Sequence, residues 1–242
     1  MKKPFLSLVI PAYNEAARLP NTLEQACEFL KAQPYDCEVI VAENGSTDNT
    51  YELALSYQTS IPQLKVLHLD ERGKGSAVRS GMLAARGDYR FICDADFSMS
   101  PDQILKFVPP ALKGADVAIA TREGPGAQRL DEPAYRHIIG RAFNLLVRLV
   151  VLPGLHDSQC GFKCFSAEVA EKVFPLQTIN GWTFDVEVLF IARRKGYRVA
   201  EVPITWQYHP NSKVHFVRDS VRMALDLLRI RLNALFGRYD PR

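Results

Sequence analysis

Short apolar runs recur along the first half of the chain, and each is broken off by a cluster of polar turn formers. Residues 5–10 (FLSLVI) stop at Pro11-Ala12-Tyr13-Asn14-Glu15. Residues 37–42 stop at Glu43-Asn44-Gly45-Ser46-Thr47-Asp48, and 64–69 run on to Arg72-Gly73-Lys74-Gly75. Residues 89–93 stop at Asp94-Ala95-Asp96, and 116–120 form a further run. Near-continuous apolar runs of this length predict strands buried on both faces. Between them lie stretches with helical spacing, at about residues 18–32, 49–57, 77–85 and 101–108. Alternation of strand and helix at short spacing predicts an α/β fold with a mostly parallel, right-handed, doubly wound sheet flanked by helices.

That fold gives the polar clusters a common address. Loops after successive parallel strands share the sheet edge at which open α/β sheets bind ligands. Asp94 and Asp96 sit just past the fourth predicted strand, and carboxylates this close repel unless a cation or basic groups hold them ionised. Alone, the pair reads first as a polar strand-to-loop turn, since the pattern is common by chance. Beside the Tyr13/Glu15, Glu43/Asn44 and Lys74 loops it reads as the floor of a crevice.

The second half has a different texture. Residues 124–132 read as loop. Residues 137–152 form a helix with one narrow polar face, His137, Arg141, Asn144 and Arg148, in an otherwise apolar surface. A short helix follows at 167–173, another opens at Trp182 and runs to about 195, and 197–203 read as a strand. Residues 216–236 form a long basic helix with a stripe of Val217, Val221, Ala224, Leu225, Leu228, Leu232 and Leu235. Both apolar helices are predicted to lie in the core, on a bilayer surface or against a second copy in a homodimer.

Composition then narrows the class. With 242 residues, 47% hydrophobic and 24% charged, the chain can build a sizeable core. A net charge of +3 does not point to nucleic acid. From Arg193 onward, however, eleven Lys/Arg face four Asp/Glu, which favours an anionic ligand or membrane surface there. The five cysteines are odd in number and lack metal-site spacing, so reduced thiols and a cytosolic setting are expected. No run reaches membrane-span length, and the N-terminal run is too short for a signal peptide.

The ordered set Pro11-Ala-Tyr-Asn-Glu15, Glu43-Asn-Gly-Ser-Thr-Asp48, Arg72-Gly-Lys-Gly75 and Asp94-Ala-Asp96 resembles the family 2 glycosyltransferases of GT-A fold. The later His156-Asp-Ser-Gln-Cys-Gly-Phe-Lys163, Trp182-Thr-Phe-Asp-Val-Glu187 and Glu201-Val-Pro-Ile-Thr-Trp206 extend it to the whole chain. These pieces are most similar to dolichyl-phosphate β-glucosyltransferases, with dolichyl-phosphate mannose synthases as neighbours. The resemblance divides the chain into a glycosyltransferase domain over 1–215 and a basic C-terminal helix over 216–242. Within that domain, 1–121 would be the nucleotide-sugar half and 122–215 the acceptor half.

The resemblance also implies roles. Pro11, Tyr13, Glu15, Glu43 and Asn44 would hold base and ribose. Lys74 and Lys213 would approach the diphosphate. Asp94 and Ala95 would face ribose and sugar, and Asp96 would ligate Mg2+ or Mn2+. Arg122, Arg136 and Arg141 would grip a lipid phosphate. Asp185 stands where relatives carry a general base, yet a phosphate acceptor is already mostly dianionic at neutral pH and needs little deprotonation. His156, His209 and His215 are given no catalytic role. The family's acidic pair after the second strand is Glu43-Asn44 here, Ser98 replaces a Gln ligand of mannose synthases, and the eukaryotic relatives' N-terminal membrane helix is lacking. The implied reaction is inverting transfer of a hexose, glucose from UDP-glucose foremost, to polyprenyl or dolichyl phosphate at the cytoplasmic face of a membrane. GDP-mannose as donor, a polysaccharide acceptor and a non-catalytic nucleotide-sugar-binding protein are the alternatives.

Overall fold

The computed structural model describes residues 3–209 and 216–240, and of 216–218 only the backbone. In chain order the elements begin with β1 (Leu6–Ala12), α1 (Leu19–Lys31), β2 (Cys37–Glu43), α2 (Thr50–Ser56), β3 (Leu64–His68), α3 (Lys74–Ala84) and β4 (Tyr89–Ile92). They continue with β5 (Val117–Thr121), β6 (Gln128–Leu130), α4 (Ala134–Val150), β7 (Lys163–Ser166), α5 (Ala167–Val173) and α6 (Phe184–Arg194). The last are β8 (Val199–Pro203), β9 (Thr205–Gln207) and α7 (Phe216–Leu235). The predicted helix after Ser100 is a 3-10 turn over Pro101–Phe107.

Seven strands form one sheet in the order β3-β2-β1-β4-β7-β5-β8. All seven residues of β1 are buried. Its side chains alternate between two cores, Leu8 and Ile10 on one face and Val9 on the other. Helix α1 covers the first face through Leu19, Leu23, Ala26 and Leu30. Helices α3, α5 and α6 cover the second. The chain leaves β1 towards β2 and β3, then returns to lay β4 on its other side. The carboxyl ends of β1 and β4 therefore flank the topological switch, where adjacent loops diverge and leave a crevice.

Three departures from the sequence reading shape that crevice. Helix α3 begins at Lys74, three residues earlier than periodicity indicated, so Lys74 belongs to a helical first turn and not to a free glycine loop. Strand β7 is antiparallel, inserted between β4 and β5, with Lys163 opposite both Ile92 and Ile119. Because β7 runs backwards, its first residues lie at the carboxyl end of β4, beside Asp94. The stretch read as loop contains β6, which pairs in parallel with β9.

Both amphipathic helices carry apolar side chains on their outer faces as well as on the faces they bury. Helix α4 buries Asn144 and Val147 and exposes Ile138, Leu145 and Leu149. Helix α7 buries Leu227, Ile230 and Asn233 while Val221, Leu225, Leu228, Leu232 and Leu235 face outward. The predicted apolar stripe of α7 is thus its outer face. No helix among the described residues is long and apolar enough to cross a membrane.

Candidate active site at the carboxyl edge of the sheet

A cavity of about 700 Å³ opens at the switch point. The first wall comes from the loop after β1. Ala12 is in register with Glu43, so the 13–15 and 44–48 loops meet directly. Asn14, at φ 52°, donates its amide to Ser46 Oγ at 2.9 Å and accepts from the Thr47 amide at 2.7 Å. The Glu15 amide donates to Thr50 Oγ1 at 2.8 Å. Pro11, Tyr13, Glu15 and Asn44 all line the cavity, and the Arg72 guanidinium lies 5.3 Å from the Tyr13 ring centroid. Glu43 does not reach it. Its buried carboxylate accepts from the Ser46 amide and meets His68 Nδ1, each at 2.5 Å, and so braces the loop from behind.

The floor is Asp94-Ala95-Asp96. Lys74 Nζ lies 2.6 Å from Asp94 Oδ1 and 5.5 Å from the Trp182 ring centroid. Asp96 Oδ1 accepts the Ser98 amide at 3.1 Å. Gly161 makes room for the Asp94 carboxylate: a Cβ there would lie 1.9 Å from Asp94 Oδ2 and would displace it. Behind the floor stands a second buried pair, with Lys163 Nζ 2.6 Å from Asp185 Oδ1. Lys163 is fully buried and Asp185 is 4% exposed. Ammonium and carboxylate groups therefore alternate through Lys163, Asp185, Lys74 and Asp94. Burial pushes the Asp185 carboxyl above the ordinary carboxylate value, with Lys163 and Lys74 opposing. Burial pulls Lys74 down, but Asp94 and Asp185 outweigh it and hold the ammonium above its usual value.

The third wall carries the arginines. Arg122 lines the cavity, but its guanidinium is committed to Asp157 at 2.7 and 2.9 Å and lies 5.2 Å from the Trp206 centroid. Arg136 lines the cavity with its guanidinium 5.0 Å from the Tyr208 centroid. Arg141 is exposed on α4 and does not line it. Lys213 lies outside the described residues. Arg129, which the loop-like sequence context concealed, lines the cavity between Glu123 and Glu132 at 2.9 and 2.7 Å. Trp182 and Asn180 also line the cavity, and Lys163 stands behind it on Asp185, none of them marked as site residues by local sequence. The Trp182 and Lys163 motifs were visible, but their spatial relation to Asp94 was not.

The Arg122–Asp157 pair has a measurable signature. Burial pushes the Asp157 carboxyl up, but Arg122 and the hydrogen bonds it donates win and hold it at about 2, against 3.8 for a free group. A depressed folded-state value contributes stability that is complete above about pH 4 and lost as pH falls towards 2, roughly 2 kcal/mol in all. Urea unfolding followed from pH 6 to pH 2 is expected to show that loss, and Asp157→Asn to remove it. Parallel pH profiles for the two proteins would contradict the assignment.

The hard oxygens of Asp96 and Asp94 suit Mg2+ or Mn2+, although Asp94 Oδ1 is already taken by Lys74. No cluster of three or more His, Cys, Asp or Glu that could hold a metal occurs among the described residues. The carboxylates fit a divalent ion only if a bound ligand's oxygens and water complete its shell.

A mostly parallel, doubly wound sheet flanked by helices, with a polar crevice at its switch point, is the α/β architecture of the GT-A glycosyltransferases. Residues 7–174 match the family described as Glycosyl transferase family 2, and the chain belongs to that family as a hexosyltransferase. It is 34% identical over 249 residues to a dolichyl-phosphate beta-glucosyltransferase of Dictyostelium discoideum, covering 96% of this chain and 76% of the relative. The Saccharomyces cerevisiae protein of the same name is 34% identical, with 97% and 76% covered. Among solved structures, glucosyl-3-phosphoglycerate synthase from Mycobacterium tuberculosis in complex with UDP superposes with a TM-score of 0.67 at 20% identity. That alignment covers 99% of this chain and 81% of the synthase. A further structure of that synthase, with Mn2+, UDP-glucose and glycerol 3-phosphate, gives 0.66 at 19%, covering 95% and 79%.

Proposed function

We propose that this hexosyltransferase moves glucose from UDP-glucose to a dolichyl-type polyprenyl phosphate, with inversion to a β-linked lipid-phosphate sugar. The observation that carries the proposal is the continuity of the crevice. It begins at the polar strand-end loops and reaches Ile139 and Phe143 of α4 and Met223 of α7, beside the outward apolar faces of those helices. A substrate with a phosphate head and an apolar tail matches that gradient. The names of the relatives at 34% identity support the same donor sugar and acceptor.

Tyr13, Glu15 and Asn44 hold the nucleoside in this reading, and Lys74 meets the diphosphate at the first turn of α3, where the helix dipole adds positive potential. Asp96, with Asp94 beside it, would hold Mg2+ or Mn2+ together with the donor. That ion would supply positive charge for the diphosphate. Arg136 and Arg129 receive the acceptor phosphate, and Arg122 shapes this wall while bound to Asp157. A phosphate dianion is nucleophilic without a base, so its oxygen attacks the anomeric carbon in line with the departing UDP. Asp185, ion-paired to Lys163, orients donor and Lys74. The exposed stripes of α4 and α7 rest on the cytoplasmic face of a membrane, with the arginines nearby favouring anionic headgroups.

The test is a panel of UDP- and GDP-sugars against a short polyprenyl phosphate in liposomes with Mg2+ or Mn2+. Glucose from UDP-glucose is expected in the lipid extract, with loss on chelation. A joint Leu149→Glu and Leu225→Glu change is expected to cut that transfer while sparing donor hydrolysis. Transfer from GDP-mannose instead, or a water-soluble product alone, would overturn the proposal.

A further inference from the structure

A buried carboxylate on α6 ties the end of the chain to the cavity wall. Glu187 is fully buried, and four donors converge on it. The Thr178 and Ile179 amides donate to Oε2 at 2.9 and 2.8 Å. Thr178 Oγ1 and the Tyr239 hydroxyl donate to Oε1 at 2.6 and 2.7 Å. Asn233 Nδ2 reaches Thr178 Oγ1 at 3.1 Å and the Tyr239 hydroxyl at 3.3 Å. Tyr239 arrives there because α7 ends in a left-handed turn at Gly237, φ 68°. The Arg238 amide bonds the Asn233 carbonyl at 2.9 Å and the Gly237 amide bonds that of Ala234 at 3.3 Å. This pairing closes a helix and folds the following residues back against it. Asp240 then pairs with Arg194 at 3.1 Å.

The segment that Glu187 holds is the wall over Lys74. Asn180, Gly181 and Trp182 line the cavity. The Asn180 carbonyl accepts the Gly75 amide at 2.9 Å, and Gln177 Nε2 donates to the Gly75 carbonyl at 2.8 Å. The fit is close, since a Cβ on Gly73 would lie 2.4 Å from the Asn180 carbonyl oxygen. A shift of residues 178–182 therefore cannot leave the Gly73-Lys74-Gly75 turn in place.

We propose that Tyr239 is a positioning residue of the donor site, which through Glu187 fixes segment 178–182 and with it Lys74. It does not line the cavity itself. Its hydroxyl fills the last acceptor position of a buried carboxylate that has no cationic partner among the described ion pairs, so its loss leaves an underfilled charge directly beneath the wall. The effect on donor use rests on the proposed function, whereas the link to 178–182 does not.

The experiment compares Tyr239→Phe and Asn233→Ala with the unaltered protein by amide hydrogen exchange and by steady-state kinetics with UDP-glucose. In Tyr239→Phe, exchange over 174–184 is expected to rise about tenfold, the scale of one hydrogen bond to a charged group, with β1 unchanged. KM for UDP-glucose is expected to rise by a similar factor with kcat within about twofold, and Asn233→Ala to follow in the same direction. Unchanged exchange over 174–184 in both variants overturns the proposal. So does raised exchange with an unmoved KM in a protein that uses UDP-glucose. If the unaltered protein used no UDP-glucose, the donor reading would fail while the exchange comparison still decided the link.

Discussion

Asp96→Asn is expected to lower glucosyl transfer about a thousandfold, the scale on which removal of one electrostatic contact to a developing charge acts. The substitution keeps the shape of the side chain and leaves an oxygen to accept the Ser98 amide, which lies 3.1 Å from Oδ1. What it removes is the charge facing the cavity. Asp96 is only partly buried, so thermal stability should move by no more than about 0.5 kcal/mol. Turnover with UDP-glucose in a Mg2+ and Mn2+ series, beside a melting curve, checks both halves. Near-normal turnover would remove Asp96 as the group that holds the ion. A large drop in melting temperature would reassign the defect to folding.

Lys163→Met has the larger expected effect on the fold. It removes the ammonium 2.6 Å from Asp185 and leaves that carboxylate in a site 4% exposed to solvent. Stranding one member of a buried pair costs about 3 to 5 kcal/mol, whereas replacing both members by apolar groups is often close to neutral. The double variant Lys163→Met with Asp185→Leu is therefore expected to recover most of the stability that the single change loses. It should not recover activity, because Lys74 would lose one of the aspartates that hold its charge. The pH dependence has a defined sign. Asp185 already stands above 3.8 because burial outweighs Lys163 and Lys74. Without Lys163 the elevation grows, so the folded state of the single variant binds more protons than the unfolded chain. Its stability is then highest below about pH 4 and falls as pH rises through the elevated value. Urea unfolding of the four proteins between pH 4 and 8 tests this, and strictly additive costs would show that the two side chains do not act as a pair.

The same pair shows how differently two parts of the site could be read from sequence. Asp94 and Asp96 announce themselves because an apolar run ends at them, and strand ends in an α/β chain share an edge. Tyr13, Glu15 and Asn44 follow by the same logic, since the parallel register that sets Ala12 against Glu43 is what buried apolar runs produce. Glu43 stands at the same strand end, but the direction of its side chain is set by tertiary contacts. Its side chain points back to Ser46 and His68, which no periodicity reveals. Arg122 was legible as a basic residue after a strand, but its bidentate bond to Asp157 joins positions 35 apart.

The sequence by itself determined the strand–helix alternation, the sheet edge that carries the polar loops and the aspartates at its centre. These follow from local patterns, apolar runs and turn residues, that act through neighbouring positions. Only the tertiary structure decided that β7 runs antiparallel, since a four-residue strand carries no directional signal. That reversal brings Gly161 against Asp94 and Lys163 against Asp185. Only the tertiary structure decided which face of α4 and α7 is outermost. A helical period shows that two faces differ, but the side that is buried depends on what packs against it. Here Asn144 lines the crevice and Asn233 bonds Thr178 and Tyr239, so these polar groups share the inner faces with Val147, Leu227 and Ile230, while further leucines face outward.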